Sequence, residues 1–544
     1  MSLIGADRAI DARSIVTLVV FFVVNILVIF PVSIPFPLRI FKRKLKFPLG
    51  LQTAPVIGVL LLLASTCIPG SVVRDGIVGS GGVRPYDILV LFISFAYISL
   101  SLDCTGLLQY LAFAVAMRSG TSGSGPRLYA SFYAFFALSG LVVGNDPIIL
   151  SGTPFLVYFT EHAAISPPTA FLFTQFQASN LVSALLVSSN PTNLVLTSAF
   201  GVSFLGYSAW LALPVVAGIV VLFPLLRYGV FASVRLVPKK LHPPRVVPRD
   251  ALVDPVGAVF GATLFGITIV LLIGLSAAGR LEGVKGVWTI TAPAAILMVI
   301  RDCFHDLRKA HSEPKADETK QEAIELEAPE SEDPTLRIPD GASPAEAASL
   351  EGSQSPSETS YVVRLVSKAR TTLPTFTTVV SKLPLPLLPF AFSMFILVEA
   401  LQYTGWIRVF SGWWSSWARV GGIAGCVWLM GVLGVLGCNV FGTNIGATIL
   451  LSRVLQQWHA LQPDISQRSL YGSIFSLAIA SNYGAYSFVF SASLAGLLWR
   501  DILSQKSIVI TQWEFIRWNT VPVIVTMIVS CLVVAGEVCV MYDT

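Results

Sequence analysis

Long apolar segments that are nearly free of charge recur along the chain from Ser14 to Ala535. Each approaches the roughly 20 residues that an α-helix needs to cross a bilayer. Basic clusters lie at residues 39–46, 235–249 and 500–517, and the positive-inside rule places all three in the cytoplasm. The pattern predicts ten spanning helices, at residues 14–36, 55–70, 87–117, 168–201, 206–229, 253–279, 285–301, 380–403, 469–499 and 518–536.

Two further apolar regions, about 128–163 and 420–457, do not fit this path as crossings. The path closes only if each region enters and leaves on one side, so we predict two re-entrant hairpins. The Trp-rich run from Trp406 to Val420 suits a helix at the membrane interface. The expected fold is therefore an all-α membrane protein with about ten transmembrane helices plus two re-entrant hairpins.

The composition excludes an ordinary soluble enzyme. Hydrophobic residues make up 54% of the chain and charged residues 12%, against about a quarter charged residues in soluble domains. We find no P-loop, no nucleophile elbow and no His pair at metal-ligand spacing, so we expect neither an enzyme nor a cofactor or metal. Energy would then come from an ion gradient, H⁺ or Na⁺, or from another subunit.

Charge is distributed unevenly along the chain. Residues 313–358 hold 13 acidic and 3 basic residues, and the remainder holds 33 basic and 18 acidic residues. The basic surplus lies in short loops, where it sets orientation and does not indicate nucleic acid binding. From residue 302 onward the Glu, Pro, Ser and Ala content predicts a disordered, acidic cytoplasmic linker.

The two halves on either side of the linker share one pattern. Each has a span with one acid followed by Thr-Gly, then a hairpin, then a long uncharged stretch interrupted by Ser-Asn, then a last span. The second set starts from the opposite side of the membrane, as in the inverted repeats of secondary transporters. The predicted regions are N-terminal helices 1–86, first repeat 87–229, connecting helices 230–301, linker 302–378 and second repeat 379–544.

In the first half, polar and helix-breaking residues interrupt apolar runs in LVVGNDPIILSGTP and in FQASNLVSALLVSSNPTNLVL. A break in a spanning helix frees carbonyl groups for cations and exposes a helix N-terminus that attracts anions. The alternatives are a plain external turn at the first motif and interhelical packing at the second. Candidate binding residues here are Asn145, Asp146, Thr153, Ser189, Asn190, Thr192 and Asn193.

The second half has matching motifs in GVLGVLGCNVFGTNIGATIL and IASNYGAYSFVFSASLAGLLW. Close helix packing through glycine is the alternative interpretation. Candidate binding residues here are Thr443, Asn444, Ser481, Asn482, Ser491 and Ser493. Among the acids at membrane depth, Asp146 is the main functional candidate, and we expect Asp103 and Glu399 to have a structural role.

The strings GNDPIILSGTP, SSNPTNLVL, GTNIGATIL and FSASLAGLLW resemble, in order and spacing, the arsenite permeases of the ion transporter superfamily, which also holds sodium and carboxylate transporters. The resemblance covers residues 87–537 without the linker, and the linker is similar to that of eukaryotic, fungal-like members. It implies two hairpins and two broken helices meeting near the midplane. It also implies sodium and substrate binding at Asn145, Asn190, Asn444 and Asn482, and proton coupling at Asp146. The segment SNYGAY departs from the family pattern, where we expect one extra residue.

We therefore expect a secondary active transporter of an anion or metalloid oxyanion, with arsenite or antimonite efflux favoured. A sodium-coupled di- or tricarboxylate transporter of the citrate kind is the alternative, and a sodium/proton antiporter is the third. A channel or a membrane scaffold is the alternative hypothesis from a different functional class. The expected partners are a small inorganic or organic anion and the lipid bilayer, with a homodimer as the candidate assembly in the plasma or vacuolar membrane.

Overall fold

The computed structural model describes residues 10–36, 45–120, 123–241, 247–280, 286–325 and 368–542. In these ranges the chain forms nineteen α-helices and one two-stranded antiparallel sheet. The helices are α1 Ala12–Ile29, α2 Ala54–Ala64, α3 Gly70–Val78, α4 Pro85–Cys104, α5 Leu107–Gly120, α6 Gly125–Val143, α7 Asn145–His162, α8 Thr169–Val182, α9 Pro191–Phe200, α10 Phe204–Pro224, α11 Pro255–Ala277, α12 Trp288–Glu325, α13 Pro374–Lys382, α14 Leu387–Tyr403, α15 Trp406–Val440, α16 Asn444–Leu461, α17 Gln467–Tyr483, α18 Leu494–Gln505 and α19 Gln512–Met541.

The all-α membrane fold is confirmed. In the part of the chain that the structure describes, eight helices are long and apolar enough to span a bilayer. The predicted number of crossings was ten, and part of the difference lies in two spans that are each divided into two short helices, α8 with α9 and α17 with α18. Neither piece of such a pair reaches the length that a crossing needs by itself.

The first predicted span, 14–36, is wrong at its C-terminal end. Helix α1 ends at Ile29, and strand β1, Val32–Phe36, pairs antiparallel with β2, Leu45–Leu49. Two prolines, Pro31 and Pro35, explain the change because proline lacks the N–H that an α-helix interior requires.

The predicted span 87–117 is also divided, because Thr105 and Gly106 separate α4 from α5. Gly106 has φ +83°, and a Cβ there would lie 1.9 Å from the carbonyl oxygen of Ala251. Gly405 has φ +89° at the equivalent point between α14 and α15. The repeated Thr-Gly is therefore a helix-ending signal that only glycine satisfies, and it occurs in both halves.

Both predicted hairpins are present as helix pairs. The first hairpin consists of α6 and α7, which reverse direction at Gly144. In the second half, α15 is interrupted at Gly422, and residues 423–440 form the second hairpin with α16. Residues 406–421 form a separate helix in which Trp413 is 66% exposed, and its interfacial position stays a prediction.

Both halves contain a broken helix. The first break, residues 183–190, separates α8 from α9, and the second break, residues 484–493, separates α17 from α18. Asn190, which caps α9, lies 10 positions after Asn180 of the first Ser-Asn pair, and Ser493, which caps α18, lies 11 positions after Asn482 of the second. The breaks themselves have eight and ten residues, and the single extra residue expected in SNYGAY stays a prediction.

Contacts at one end of the molecule join segments that were predicted to be non-cytosolic. The Ser14 hydroxyl donates to the carbonyl oxygen of Thr404 at 2.9 Å. The Gln456 amide donates to the carbonyl oxygens of Ala199 at 2.6 Å and Gly81 at 3.0 Å. Because Gln456 lies near the end of α16, the second hairpin returns to the side from which it entered.

Contacts at the opposite end join segments that were predicted to be cytosolic. The amide of Asp254 donates to the carbonyl oxygen of Thr105 at 3.1 Å, and the amide of Leu241 donates to that of Gly123 at 2.8 Å. Gly123 precedes α6, so the first hairpin starts at this end. The two hairpins therefore enter from opposite ends, which is the arrangement of an inverted repeat.

The two repeats interlock through the second piece of each broken helix. Helix α9 of the first repeat packs against α16 of the second hairpin, and α18 of the second repeat packs against α7 of the first hairpin. Each hairpin is consequently supported by the opposite repeat.

The described residues between Ile296 and Lys382 form a compact unit of their own. Within it, helix α12 continues to Glu325, so the prediction of disorder from residue 302 is wrong for this segment. Its Glu, Lys and Ala content favours a helix. The Asp306 carboxylate accepts the backbone N–H groups of Thr375 and Phe376 at the start of α13. The rest of the predicted linker, 326–367, lies outside the described residues.

Candidate transport site

Four helices begin where the hairpins meet the breaks. The residues that precede them are Gly144 for α7, Asn190 for α9, Thr443 for α16 and Ser493 for α18. The N-terminus of a helix carries a partial positive charge and free N–H groups, which attract anions. Asn190, Thr443 and Ser493 each accept a backbone N–H of their own helix, so the local sequence sets where these three helices start.

The tip of the first hairpin packs against the first break. The Asn145 amide donates to the Asn180 side-chain oxygen at 3.0 Å. Gly144 has φ +86°, and a Cβ at this residue would lie 3.2 Å from the carbonyl oxygen of Ser189. Glycine is needed here both for its backbone conformation and for the close approach of the break.

Amide side chains hold the first break open. Asn190 accepts the backbone N–H of Thr192 at 3.1 Å and its hydroxyl at 3.0 Å. The Asn193 amide donates to the carbonyl oxygens of Ser183 at 2.8 Å and Leu186 at 2.9 Å. Both carbonyls lie in the break, outside α8 and α9, and that of Leu186 also accepts the backbone N–H of Ser189 at 3.1 Å. The break therefore has carbonyl oxygens of the kind that bind a cation in other broken-helix transporters.

The second hairpin contacts the second break in the same way. The Asn444 amide donates to the carbonyl oxygen of Ser481 at 3.1 Å. The side-chain oxygen of Asn439 accepts the backbone N–H groups of Phe488 at 3.2 Å and Val489 at 2.9 Å. Asn439 lies five residues before Asn444 on the other arm, so both arms of this hairpin support the break.

Asn482 joins the two repeats. Its side-chain oxygen accepts the Ser183 hydroxyl at 3.0 Å, and its amide donates to the side-chain oxygen of Asn193 at 2.7 Å. All three residues have zero exposure. The two sets of motifs thus form one buried polar network at the centre of the molecule.

The other predicted residues occupy different places. Thr192, Thr443, Ser491 and Ser493 are buried at the helix starts or in the second break, and Ser189 and Asp146 are half-buried beside the first tip. Thr153 is not at the tip, because it lies eight residues along α7 from Asn145, roughly 12 Å by helical rise. Its hydroxyl donates to the side-chain oxygen of Gln175 on α8 at 3.1 Å.

The remaining two acids tie the first helix of each repeat to a hairpin arm. Asp103 of α4 accepts the hydroxyl of Ser151 on α7. Glu399 of α14 forms a salt bridge of 3.0 Å with Arg453 on α16. The structural role expected for both acids stays a prediction.

A comparison with known families adds the family of the protein. Residues 53–480 match the family model described as "Citrate transporter", which is more than half of the chain. The chain belongs to the citrate transporter family. None of the curated proteins matches it.

The fold of this citrate transporter family member is similar to that of a solved transporter. The YdaH transporter of Alcanivorax borkumensis, whose crystal structure is described as having an unusual topology, matches with a TM-score of 0.50 at 12% sequence identity. The match covers 97% of this chain and 98% of that one. The family indicates a multi-pass membrane transporter rather than an enzyme, and the structural match shows the fold alone. The narrower resemblance to arsenite permeases stays a prediction.

Sequence reasoning missed two members of the network and one buried arginine on the second hairpin. Asn180, Ser183 and Arg453 were not among the candidates, although each is buried and makes a contact described above. Arg453 has the clearest signal in hindsight, since it is the one charged residue in the stretch from Thr443 to Gln457. An ionisable residue within such an apolar element is a functional candidate by default.

Proposed function

We propose that this family member is a secondary transporter of a small carboxylate of the citrate class, moved by alternating access and coupled to Na⁺ or H⁺. The observation that carries the proposal is the convergence of four helix starts and several amide side chains on one buried network, in a chain of the citrate transporter family.

The chemistry of the network suits such a substrate. Carboxylate oxygens bind to N–H and O–H donors, and helix N-termini supply N–H donors with a favourable dipole. The carbonyl oxygens of Ser183 and Leu186, in the break outside α8 and α9, suit a coupling cation beside the anion. Binding the two together would reduce the cost of placing either charge in a membrane interior.

The burial of the network supports alternating access. Asn193 and Asn482 have zero exposure, and Asn444 is 3% exposed. A substrate reaches these residues only when a hairpin moves away from the break that it covers. Such movements of one repeat against the other are the usual basis of alternating access.

Uptake of labelled citrate into proteoliposomes, with an imposed sodium or proton gradient, tests the proposal. We expect saturable uptake that depends on one of the two gradients. Asn190→Ala should abolish it, because this residue caps α9 at the site. Gln505→Ala is the matched control, since Gln505 is exposed at the end of α18. This variant should take up citrate at the wild-type rate. Absence of saturable uptake under both gradients would refute the carboxylate assignment, and proton flux driven by sodium alone would indicate an antiporter.

Arsenite or antimonite efflux is the second candidate, supported by the motif GNDPIILSGTP with its acid next to Asn145. Expression in a cell that lacks metalloid efflux should then restore resistance to arsenite. Good expression without rescue would exclude this activity.

A further inference from the structure

A buried ion pair connects the second hairpin to the rest of the molecule. Arg453 Nη2 of α16 lies 3.0 Å from Glu399 Oε2 of α14, and their side chains are 8% and 12% exposed. The same carboxylate oxygen accepts the hydroxyl of Ser80 at 2.8 Å. Each charge is therefore compensated within the protein.

Further hydrogen bonds extend the connection to other elements. Arg453 Nη1 donates to the side-chain oxygen of Gln456 at 3.2 Å. The Gln456 amide in turn donates to carbonyl oxygens of Ala199, in the last turn of α9, and of Gly81, in the turn before α4. Helix α16 is thus attached to three separate segments at the end predicted to be non-cytosolic.

The position of the pair along α16 links it to the transport site. Arg453 lies nine residues after Asn444, which is about 14 Å along the helix. Asn444 is the first residue of the same helix and contacts Ser481 at the second break. Any movement that opens the site toward this end by shifting α16 must break the ion pair. The corresponding contact in the first repeat, Ser151 with Asp103, has a neutral donor.

We propose that the Glu399–Arg453 ion pair is a latch that holds the second hairpin closed at this end, so that both residues position Asn444 at the transport site. The proposal rests on the proposed function, because a latch matters only to a protein that opens its site alternately. Removal of one partner leaves the other as an uncompensated buried charge, which favours the open arrangement in which water reaches it.

Cysteine accessibility tests the latch without any substrate. Cys438 lies in the first arm of the second hairpin and is fully buried against α17, with its Sγ 3.8 Å from the carbonyl oxygen of Ala480. In the full chain with Cys438 as the sole cysteine, purified in detergent, we expect slow labelling by a hydrophilic maleimide. Glu399→Gln should increase the labelling rate at least tenfold. Arg500→Gln, which removes one charge from an exposed pair with Asp501, should leave the rate unchanged.

A second reporter separates a latch from general destabilisation. With Cys67, buried in the turn after α2, as the sole cysteine, Glu399→Gln should leave the labelling rate unchanged. Equal acceleration at both cysteines, or no acceleration at Cys438, would overturn the proposal.

A milder variant covers the case in which Glu399→Gln does not fold. Gln456→Ala keeps both charges of the pair and removes the hydrogen bonds to Ala199 and Gly81 together with the acceptor of Arg453 Nη1, and it should increase Cys438 labelling severalfold. An unchanged rate would show that these contacts do not hold the hairpin. Since labelling needs no citrate, failure of the latch is distinguishable from failure of the carboxylate assignment.

Discussion

Replacing Gly144 by alanine should displace the first hairpin tip from the first break. Gly144 has φ +86° and ψ 174°, a combination that is essentially restricted to glycine. The added Cβ would also lie 3.2 Å from the carbonyl oxygen of Ser189, which is tighter than ordinary van der Waals contact. The hairpin tip and the break would therefore have to separate by a few tenths of an ångström.

The backbone conformation of Gly144 and the close contact with Ser189 together determine the cost of Gly144→Ala. Holding a residue with a side chain in such a backbone region costs on the order of 1–3 kcal/mol. Gly201→Ala is the matched control, because Gly201 has φ +63° and ψ 20° but nothing within 4 Å of the added Cβ. Alanine in that left-handed region costs roughly 1–2 kcal/mol and disturbs no neighbour.

Initial rates of citrate uptake, normalised to the amount of protein in the vesicles, measure the difference. We expect Gly144→Ala to lower the rate at least tenfold, since Asn145 moves with the tip, and Gly201→Ala to keep most of the activity. Similar rates for the two variants would refute the conclusion that the close contact between Gly144 and Ser189 sets the site geometry.

Three further substitutions test other parts of the network. Asn482→Ala leaves the partner atoms of Ser183 and Asn193 without their shared amide, at a cost of about 1–3 kcal/mol. Both thermal stability and citrate uptake should therefore fall. Wild-type stability and uptake would show that this link between the repeats is not part of the mechanism. Asp146→Asn should abolish the pH dependence of transport with normal membrane insertion, and an unaltered profile of uptake against pH would exclude Asp146 from coupling. Gly434→Val should lower the melting temperature in detergent through overpacking of about 1–3 kcal/mol, because a Cβ there lies 2.5 Å from that of Ala480, and an unchanged melting temperature would contradict this packing.

The sequence alone determined the features that depend on short stretches of chain. Apolar length and loop charge predicted the membrane fold and both hairpins, since the cost of burying polar backbone in lipid leaves few alternatives. Proline and the caps Asn190 and Ser493 mark where α9 and α18 begin, because these residue types act within one helical turn. The same local rule explains the failure at Pro31, whose helix-ending effect was not weighed against the apolar run around it.

Tertiary structure decided which polar groups meet. Ser183 and Asn482 are 299 residues apart, and Glu399 and Arg453 are 54 residues apart. Periodicity and motif spacing carry no information on such partners, because the crossing of the broken helices and the seating of each hairpin bring them together. The resemblance therefore implied that two polar sets meet, and the interlocking of α9 with α16 and of α18 with α7 decided which of their residues are in contact.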